Sequence, residues 1–485
     1  MNSPQRLLMI VALVAACASP ASPASPASTA PSGVNPTSTP PSGPRPILID
    51  TDLAADDILA ILVLLRDPAV EVRAITVAGT GEVRCEAGTR NVRLLLAAFG
   101  LLDIPVGCGR STTGPSGHEF PTEWRDGADA FYGLELPPPG VVSGDIPAAV
   151  LIADTVGASP APLTIVVLGP WTNLADAFAA DPSLVSKIAG IHAMAGAIDV
   201  PGNIEFDGVT AADGVEWNVG ADPDAFAAVL ALDVPVTLVP LDATNDVSVP
   251  EDIATRLAAD HGAAGADIAY ELYLRNLYLS APGNFWWDTL AALVLTSPDL
   301  VTWAEATVSV TPTGTQAGRI VRAASGRPIT FASAADQDRT IEAVLAALRR
   351  GTPRPQPFTI AGTLSVRWDG TNCTIEGTPP ASAGPALVRL TNDSDTEVGV
   401  LGGAVIAPKA WADAFAFIDA ADFADPNLKI PDWMVPLGGS GVSAPAGERV
   451  TSFGTLPAGE VGIICGTGPW ADFTLVDGGS FFVGE

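Results

Sequence analysis

The sequence predicts an α/β domain with an open, mostly parallel sheet flanked by helices, followed by a C-terminal all-β sandwich. From Arg45 onward, short β-branched runs alternate with longer segments rich in Ala and Leu, which is typical of successive β-α-β units. After residue 357 the pattern changes to short strand-like runs separated by Gly and Pro. A chain of 485 residues is long enough to bury a core in each domain.

The N-terminus, residues 1–17, has the composition of an export signal. Arg6 precedes an apolar run over residues 7–16, which is too short to remain as a membrane-spanning helix. The tetrad Val14-Ala15-Ala16-Cys17 resembles a bacterial lipobox, which implies cleavage before Cys17 and lipid attachment to its thiol on the outer face of the cytoplasmic membrane. A secreted protein cleaved at another bond is the alternative. Residues 18–45 are almost entirely Ala, Ser, Pro, Thr and Gly, and they predict an extended linker.

The charge of the chain limits its partners. It has 54 acidic and 24 basic residues, which gives a formal net charge of -30. Such a charge disfavours binding to phosphate backbones and to anionic membrane surfaces, because both would repel the protein. We therefore expect no nucleic-acid partner, and we interpret most of the charge as a solubilising surface.

Four cysteines remain if Cys17 carries lipid, an even number in a chain predicted to enter an oxidising compartment. They are Cys85, Cys108, Cys373 and Cys465. None is close enough in sequence to another to suggest a thiolate metal site. Pairing of sequence neighbours would join the first two and the last two, although spacing alone leaves the pairing open.

The α/β domain is predicted to span residues 46–350. Its buried strands are predicted at 46–52, 70–79, 163–169, 190–196 and 234–242. Helical patterns occupy 56–67, 87–100 and 336–350. A Pro-rich break at 351–357 leads into the second domain, predicted at 358–485. Because an α/β sheet binds its ligand at the carboxyl ends of its strands, functional residues are expected just after these runs.

The most informative stretch is DTDLAADD, residues 50–57. It contains Asp50, Asp52, Asp56 and Asp57 between an apolar strand and an apolar helix. Like charges beside two core elements are costly without a compensating cation. Carboxylates with no His or Cys nearby favour calcium or magnesium, and the strand-turn-helix placement lets Asp52 and Asp57 converge on one ion. A solvated acidic turn at the start of the helix is the alternative.

These residues resemble the DTDxxxDD signature of the inosine-uridine nucleoside hydrolase family. Further motifs follow in the order of the family: AITVAGTGE with TRN, LGPWTNLADAF, MAG, GN, VEWNVGADPDAF and WWDTLAAL. The resemblance covers residues 46–350. It implies a nucleoside hydrolase-like fold and hydrolysis of the N-glycosidic bond of ribonucleosides, with a calcium-bound water as nucleophile.

The resemblance also implies roles for individual residues. Calcium is expected on Asp52, Asp57, Asp288 and the carbonyl of Leu168, with Asp50 supporting the cluster and Asp52 acting as the base. Residues expected at the ribose are Asp56, Asn203, Glu216 and Asn218, with Trp217 beneath the sugar. Such a site would catalyse mainly by positioning and electrostatics.

Two tryptophans are candidates for stacking on the base, which is the leaving group. Trp287 precedes Asp288 at a position where pyrimidine-tolerant members often have His, so the chain resembles the purine-preferring branch, in which a stacked aromatic activates the base. Trp124 is a candidate for a second stacking face. Ordinary packing is the alternative for both side chains.

Two departures from the family bear on the substrate. Glu82 lies where the family often has Asn, and the segment between Asn203 and Glu216 is longer than usual. Glu82 could accept a hydroxyl or could indicate a different sugar. Two other hypotheses therefore stay open: a tethered protein that binds ribosides without turnover, and a hydrolase of another N-riboside.

Residues 358–485 resemble a cupredoxin-type sandwich. The resemblance rests on WDGTNCTIEGTPPASAGPALVRLTNDSDTEVGV and LPAGEVGIICGTGP. A blue-copper site needs two His and a Cys, and no His follows His261, so copper is excluded on ligand grounds. Cys373 and Cys465 are then better explained as a disulfide. We interpret the domain as a binding or spacing module of unknown partner. Family members commonly oligomerise, so a homo-oligomer is an expectation that this domain could block.

Overall fold

The structure is a computed structural model that describes residues 43–138, 146–205, 208–421, 429–443, 446–467 and 474–484. The predicted signal peptide, the predicted lipid-attachment residue Cys17 and the predicted linker as far as residue 42 lie outside the described residues. Within the described ranges, no helix combines the length and the apolar character needed to cross a bilayer.

A ten-stranded sheet forms the centre of the first domain within the described residues. Its strands are β1 (Arg45–Thr51), β2 (Val70–Val77), β3 (Val106–Cys108), β4 (Ile146–Pro147), β5 (Leu163–Val167), β6 (Ile188–Ala193), β7 (Val236–Leu238), β8 (Val301–Val310), β9 (Ile320–Arg322) and β10 (Arg327–Ala335). Their order is β4-β3-β2-β1-β5-β6-β7-β10-β8-β9, and all neighbours are parallel except at β8 and β9. The order reverses between β1 and β5, which is where α/β sheets bind ligands.

Helices cover both faces of this sheet. They are α1 (Ala55–Leu65), α2 (Cys85–Phe99), α3 (Thr122–Asp129), α4 (Ala148–Ala158), α5 (Thr172–Ala180), α6 (Trp217–Gly220), α7 (Pro223–Leu230), α8 (Leu241–Thr244), α9 (Ile253–Ala258), α10 (Ala264–Arg275), α11 (Trp287–Val294) and α12 (Gln337–Leu348). Strand β1 is buried on both faces. Ile47 and Ile49 pack in the apolar cluster on one face of the sheet, and Leu48 packs in the cluster on the other face. The first and last predicted helices of this domain, at 56–67 and 336–350, are formed with ends shifted by one or two residues.

The second domain consists of two four-stranded sheets and one helix within the described residues. Its elements are β11 (Gly362–Trp368), β12 (Cys373–Glu376), β13 (Gly384–Asn392), β14 (Val398–Val405), α13 (Trp411–Ala420), β15 (Met434–Ser443), β16 (Gly447–Leu456), β17 (Gly459–Thr467) and β18 (Thr474–Val483). The sheets have the orders β12-β11-β13-β16 and β15-β14-β17-β18. The predicted fold class, an α/β domain followed by β sheets, is confirmed, and α13 is an element that the strand-like pattern did not predict.

Two disulfides are present. Cys85 at the start of α2 bonds Cys108 at the end of β3, with the Cα atoms 5.6 Å apart. Cys373 in β12 bonds Cys465 in β17, with a Cα separation of 5.7 Å, and so connects the two sheets of the second domain. Both bonds join cysteines that are neighbours in sequence order.

The Pro-rich break at 351–357 is anchored in the first domain. Arg354 is only 3% exposed and forms ion pairs with Asp267 and Glu271, two buried carboxylates of α10. The amide N–H of Phe358 donates a hydrogen bond to Asp267 Oδ2 at 2.8 Å, and its ring packs edge-on against Tyr270. The segment predicted as a linker therefore contributes a charged side chain to the interior of the first domain.

We expect Arg354→Met to destabilise the protein by about 3–5 kcal/mol, because it removes the buried cation that Asp267 and Glu271 share and leaves them only His261 and Arg275. Denaturant unfolding measures this change in the free energy of unfolding. Arg349→Met is the matched control, since Arg349 pairs with Asp260 at the surface, and it should change stability by less than about 1 kcal/mol. Equal effects of the two substitutions would contradict this account of the junction.

Candidate active site

The candidate site lies where the carboxyl ends of β1 and β5 meet the N-termini of α1 and α11. Asp50 in β1 is completely buried, and its Oδ1 accepts hydrogen bonds from Thr76 Oγ1 at 2.5 Å and Asn173 Nδ2 at 2.7 Å. Burial raises the pKa of Asp50 to about 7, although these two hydrogen bonds oppose the rise. Asp50 therefore sits beneath the site and connects β1 to β2 and α5.

Three carboxylates, Asp56, Asp57 and Asp288, form the centre of the site, and we call them the carboxylate trio. One oxygen from each lies within 4.8 Å of the others, a spacing that one metal ion can occupy. Asp56 and Asp57 belong to the first turn of α1, and Asp288 belongs to the first turn of α11. The two helix N-termini converge here, and Asp56 Oδ2 accepts a hydrogen bond from the Asp288 amide at 2.8 Å.

The trio has unsatisfied polar atoms that indicate a cation. Asp57 Oδ2 and Asp288 Oδ1 are buried and have no hydrogen-bond partner in the described part of the chain. Burial, followed by repulsion from neighbouring carboxylates, raises the pKa of Asp57 and Asp288 well above the usual range. The second side-chain oxygen of Asp57, Oδ1, accepts a hydrogen bond from the hydroxyl of Thr51. This set of oxygen donors suits a hard divalent ion.

Asp52 lies beside the trio in a cramped backbone environment. A Cβ on Gly81 would lie 2.2 Å from the Asp52 Cβ, and a Cβ on Gly169 would lie 2.9 Å from it, so only glycine fits at both places. Asp52 Oδ2 accepts a hydrogen bond from the Glu82 amide at 3.0 Å. Burial and the negative charge of Glu82 raise the pKa of Asp52 well above its usual range. The carboxylate is thus held in one orientation and biased towards accepting a proton.

The residues predicted to bind ribose form a second cluster. Glu216 is 2% exposed and caps α6, with its oxygens accepting hydrogen bonds from the amides of Gly196, Asn218 and Val219. Burial raises the pKa of Glu216 to about 7. Asn203 Oδ1 accepts from the Trp217 amide at 3.1 Å. The structure therefore connects these predicted ribose-binding residues through one helix N-terminus.

The carbonyl of Leu168 belongs to this second cluster as the structure stands. Its oxygen accepts a hydrogen bond from Asn218 Nδ2 at 3.1 Å, and its amide donates to the Asp50 carbonyl at 2.7 Å. Asp56, predicted at the ribose, lies with Asp57 and Asp288 in the carboxylate trio. Asp52 is near enough for its charge to raise the pKa of Asp57, and Asp52 and the Leu168 carbonyl stay predicted ligands.

Aromatic side chains form two further groups. Trp217 stacks on Phe120 with ring centroids 4.6 Å apart, and its ring lies 5.4 Å from that of Trp124, which is 47% exposed. Trp287 packs against Phe285 at 5.6 Å. The indole N–H of Trp287 is buried without a partner in the described residues, so it is free to donate to a ligand.

Glu82 extends the site towards α3. Its Oε1 accepts a hydrogen bond from Tyr132 Oη at 2.6 Å, and burial raises the pKa of Glu82 to about 7. Tyr132 has φ 49° and Phe131 has φ 55°, a left-handed conformation that costs about 1–2 kcal/mol for each L-residue. Tyr132 therefore donates its hydrogen bond to Glu82 from a strained turn.

Comparison with known proteins identifies the family. The model of the inosine-uridine preferring nucleoside hydrolase family matches residues 47–349, which is more than half of the chain. The chain belongs to this family. Uridine nucleosidase 1 of Arabidopsis thaliana is 28% identical over 274 residues, which cover 55% of this chain and 79% of the plant protein. The prediction that the chain is an enzyme, a nucleoside hydrolase, is thereby confirmed.

Solved structures of nucleoside hydrolases have the same fold as the first domain. The inosine-uridine preferring nucleoside hydrolase of Bacillus anthracis has a TM-score of 0.56 and 24% identity, and the match covers 63% of this chain and all of that one. A purine-preferring ribonucleoside hydrolase from Gardnerella vaginalis has a TM-score of 0.54 and 23% identity, with 63% and 98% of the two chains covered. The matches cover nearly all of these nucleoside hydrolases but only 63% of this chain, so the second domain is additional to them.

Several residues around the site escaped the sequence analysis. They are Thr51, Thr76, Phe120, Tyr132, Asn173 and Phe285. Asn173 lies within the motif LGPWTNLADAF, so that nucleoside hydrolase landmark contained a usable signal. Tyr132 has no such signal in the sequence, because its partner Glu82 is 50 positions away and the turn that contains Tyr132 has no distinctive composition.

Without a bound cation, we expect the thermal stability of the site to fall as pH rises from about 4 to about 7. Asp50, Glu82 and Glu216 each have a folded-state pKa near 7, above the unfolded value, so the folded protein holds extra protons in this window and loses stability as they dissociate.

Melting temperatures with calcium and with chelator, measured between pH 4.5 and pH 8, check this expectation. The difference between the two conditions should grow with pH and reach several degrees, and groups remote from the site should cancel in it. A difference that is constant over this range would contradict a cation-dependent carboxylate cluster.

Proposed function

We propose that this nucleoside hydrolase cleaves the N-glycosidic bond of ribonucleosides, with calcium at the carboxylate trio, Asp52 as the base and a preference for purines. The observation that carries the proposal is the pair of buried, unpartnered oxygens on Asp57 and Asp288 beside Asp56. Three carboxylates at such spacing are stable as anions only with a cation among them. Oxygen ligands favour calcium over softer metals.

The residues that would hold the ion are the trio together with Asp52 and the Leu168 carbonyl. When bound, calcium supplies the positive charge that the carboxylates lack, binds ribose hydroxyls and lowers the pKa of a water. The Leu168 carbonyl accepts one hydrogen bond from Asn218 Nδ2, and its second lone pair would serve the ion. Asn218 would hold a sugar hydroxyl through its side-chain oxygen.

Asp52 is suited to remove a proton from the attacking water. The Glu82 amide occupies one of its oxygens, which fixes the plane of the carboxylate and leaves Oδ1 for the reaction. Its side chain is buried beside Glu82, Asp56 and Glu216, so it offers a carboxylate at the place where a general base is needed. Asp50, two residues earlier in the chain, would support it through its hydrogen bonds to Thr76 and Asn173.

The sugar is expected between Asp52 and the Glu216 cluster. Glu216 Oε2 accepts from the amides of Gly196 and Val219, whereas Oε1 accepts from that of Asn218 and keeps a lone pair for a ribose hydroxyl. Asn203 and Asn218 add amide donors and acceptors beside it. Fixed dipoles of this kind favour the positive charge that develops on the sugar, because they need not reorganise during the reaction.

The purine preference rests on Trp287. It begins α11 next to Asp288, is half-buried against Phe285, and has a free indole N–H. The relatives point in both directions: one is named as a uridine nucleosidase and another as purine-preferring. We favour purines because a large indole face beside the trio gains more from a two-ring base than from a one-ring base.

The test is ribose release by the purified protein from inosine, guanosine, adenosine, uridine and cytidine, with calcium and with chelator. We expect calcium-dependent turnover that is fastest on purines. Asp52→Asn should lower kcat by about 10²–10⁴-fold, the usual contribution of a general base, while the melting temperature stays near that of the wild type.

Asp103→Asn is the matched control for Asp52→Asn, because Asp103 is exposed between α2 and β3. It should leave kcat unchanged. Full activity in chelator would exclude the metal, and an unchanged kcat in Asp52→Asn would exclude this base.

Trp287→Ala should lower kcat/KM for inosine by about 10–100-fold through loss of base stacking, and it should affect uridine less. Trp287→Phe should recover part of the loss because it keeps an aromatic face. The measurement is kcat/KM for both nucleosides in all three proteins. Equal losses on inosine and uridine would show that Trp287 does not select the base.

A second candidate function is hydrolysis of a different N-riboside. The observation that favours it is Glu82, a carboxylate held within the site by Tyr132. A carboxylate at this place would accept a hydrogen bond from a substrate donor that the common nucleosides need not offer. A panel of modified ribosides, assayed beside inosine, separates this reading from the first, and tight binding without product would instead indicate a riboside-binding protein.

We also propose that the protein is exported and anchored by lipid at Cys17, on the basis of the tetrad at residues 14–17. The interpretation of residues 358–485 as a cupredoxin-like binding or spacing module, and homo-oligomer formation, remain proposals as well. The two-sheet arrangement joined by the Cys373–Cys465 disulfide is compatible with such a sandwich.

A further inference from the structure

The turn formed by residues 131–133, here called the Tyr132 turn, has an unusual backbone. Phe131, Tyr132 and Gly133 have φ values of 55°, 49° and 76°, so three consecutive residues are left-handed. Glycine adopts this conformation freely, whereas residues with a Cβ resist it. Two large aromatic residues nevertheless occupy the first two positions, and both are buried.

Hydrogen bonds from α10 and the residue after it hold the turn and the segment that follows the turn. Asn276 Nδ2 donates to the Tyr132 carbonyl at 2.8 Å, and Glu271 Oε1 accepts from the Glu135 amide at 2.9 Å. Glu271 is itself fixed by ion pairs with Arg275 and with Arg354. The surrounding structure thus over-determines the turn, which is how a strained conformation persists in a folded protein.

The strained turn delivers the Tyr132 hydroxyl to Glu82. Tyr132 is 6% exposed, and its Oη donates to Glu82 Oε1 at 2.6 Å. In the described residues no hydrogen bond reaches Glu82 Oε2, and Glu82 keeps partial solvent access. One oxygen of the carboxylate is therefore held by the protein, and the other has no protein partner in the described residues.

Glu82 lies beside Asp52, close enough for its charge to raise the pKa of Asp52. Gly81 and Gly169 lie against the Asp52 side chain, so the β2 end and the β5 end both border it. The predicted ribose residues Glu216 and Asn218 lie near the ends of β6 and β5, where they bond Gly196 and Leu168. Glu82 follows β2 and is connected to Asp52 through its amide. A substrate over Asp52 would thus have a carboxylate acceptor on its β2 side as well.

We infer that Tyr132 is a positioning residue for substrate recognition: it orients Glu82 so that Oε2 accepts a hydrogen bond from a donor group of the bound riboside. This inference rests on the proposed function of the site, and it adds a residue that no sequence motif indicates. The strain of the Tyr132 turn is then the structural cost of bringing a phenol to this carboxylate.

The experiment compares wild type with Tyr132→Phe, Glu82→Gln and the double variant. Tyr132→Phe removes only the hydroxyl, so the ring continues to fill its place and the melting temperature should stay close to that of the wild type. With the riboside that wild type hydrolyses or binds best in the panel above, we expect KM to rise about ten-fold and kcat to change less than about two-fold. The double variant should be no worse than either single one, because both break the same interaction.

Tyr270→Phe is the matched control, since this buried phenol bonds none of the site carboxylates and should leave KM unchanged. Calorimetric Kd values for the same riboside give a readout that does not need turnover. Additive effects of Tyr132→Phe and Glu82→Gln, or an unchanged KM and Kd in Tyr132→Phe, would overturn the inference. If wild type binds ribosides without hydrolysing them, the proposed function fails, yet a ten-fold weaker Kd in Tyr132→Phe would still support the role of Tyr132.

Discussion

Several carboxylates share one small volume at the end of β1, and their mutual repulsion is the constraint on which the site depends. Asp57 and Asp288 are buried with unpartnered oxygens, and burial raises the pKa of both. Two helix N-termini supply partial positive charge at the same place, but partial charges do not neutralise three carboxylates. The architecture therefore brings the ligands together by the packing of α1 against α11 and leaves the remaining charge to a cation.

The neighbouring residues follow from this constraint. Gly81 and Gly169 leave room for Asp52, and Asp50 anchors the base of the site to β2 and α5. Glu216 organises the opposite side through backbone amides. Each contact restricts the orientation of one carboxylate, so the site is largely formed before a substrate arrives. Preorganisation of this kind is what electrostatic catalysis requires.

The local part of this arrangement could be predicted from the sequence. DTDLAADD between an apolar strand and an apolar helix predicted both β1–α1 and a cation-binding cluster, because the residues are contiguous. The series of motifs along 46–350 predicted the family and the fold. The grouping of Asp56 with Asp57 and Asp288 was not predicted, since it depends on how α11 docks against α1.

Contacts between distant segments account for the other omissions. Tyr132 reaches Glu82 only through a left-handed turn, and no composition signal marks aromatic residues with positive φ. Helix α13 was missed because the surrounding Gly-rich strands dominated the pattern. Arg354 was placed in a Pro-rich linker, although its side chain is among the most buried charged groups in the described residues.

The burial of Arg354 has a consequence for how this two-domain chain can be recombined. A boundary drawn from composition would fall at 351–357 and would leave the arginine with the second domain, although its ion-pair partners are on α10. Gene fusions or domain exchanges that cut there would remove from the first domain a buried side chain whose partner Glu271 also bonds the Glu135 amide, just after the Tyr132 turn. The modular unit therefore extends to Phe358, so the β-rich domain can be replaced as a cassette only when the exchange point lies beyond that residue.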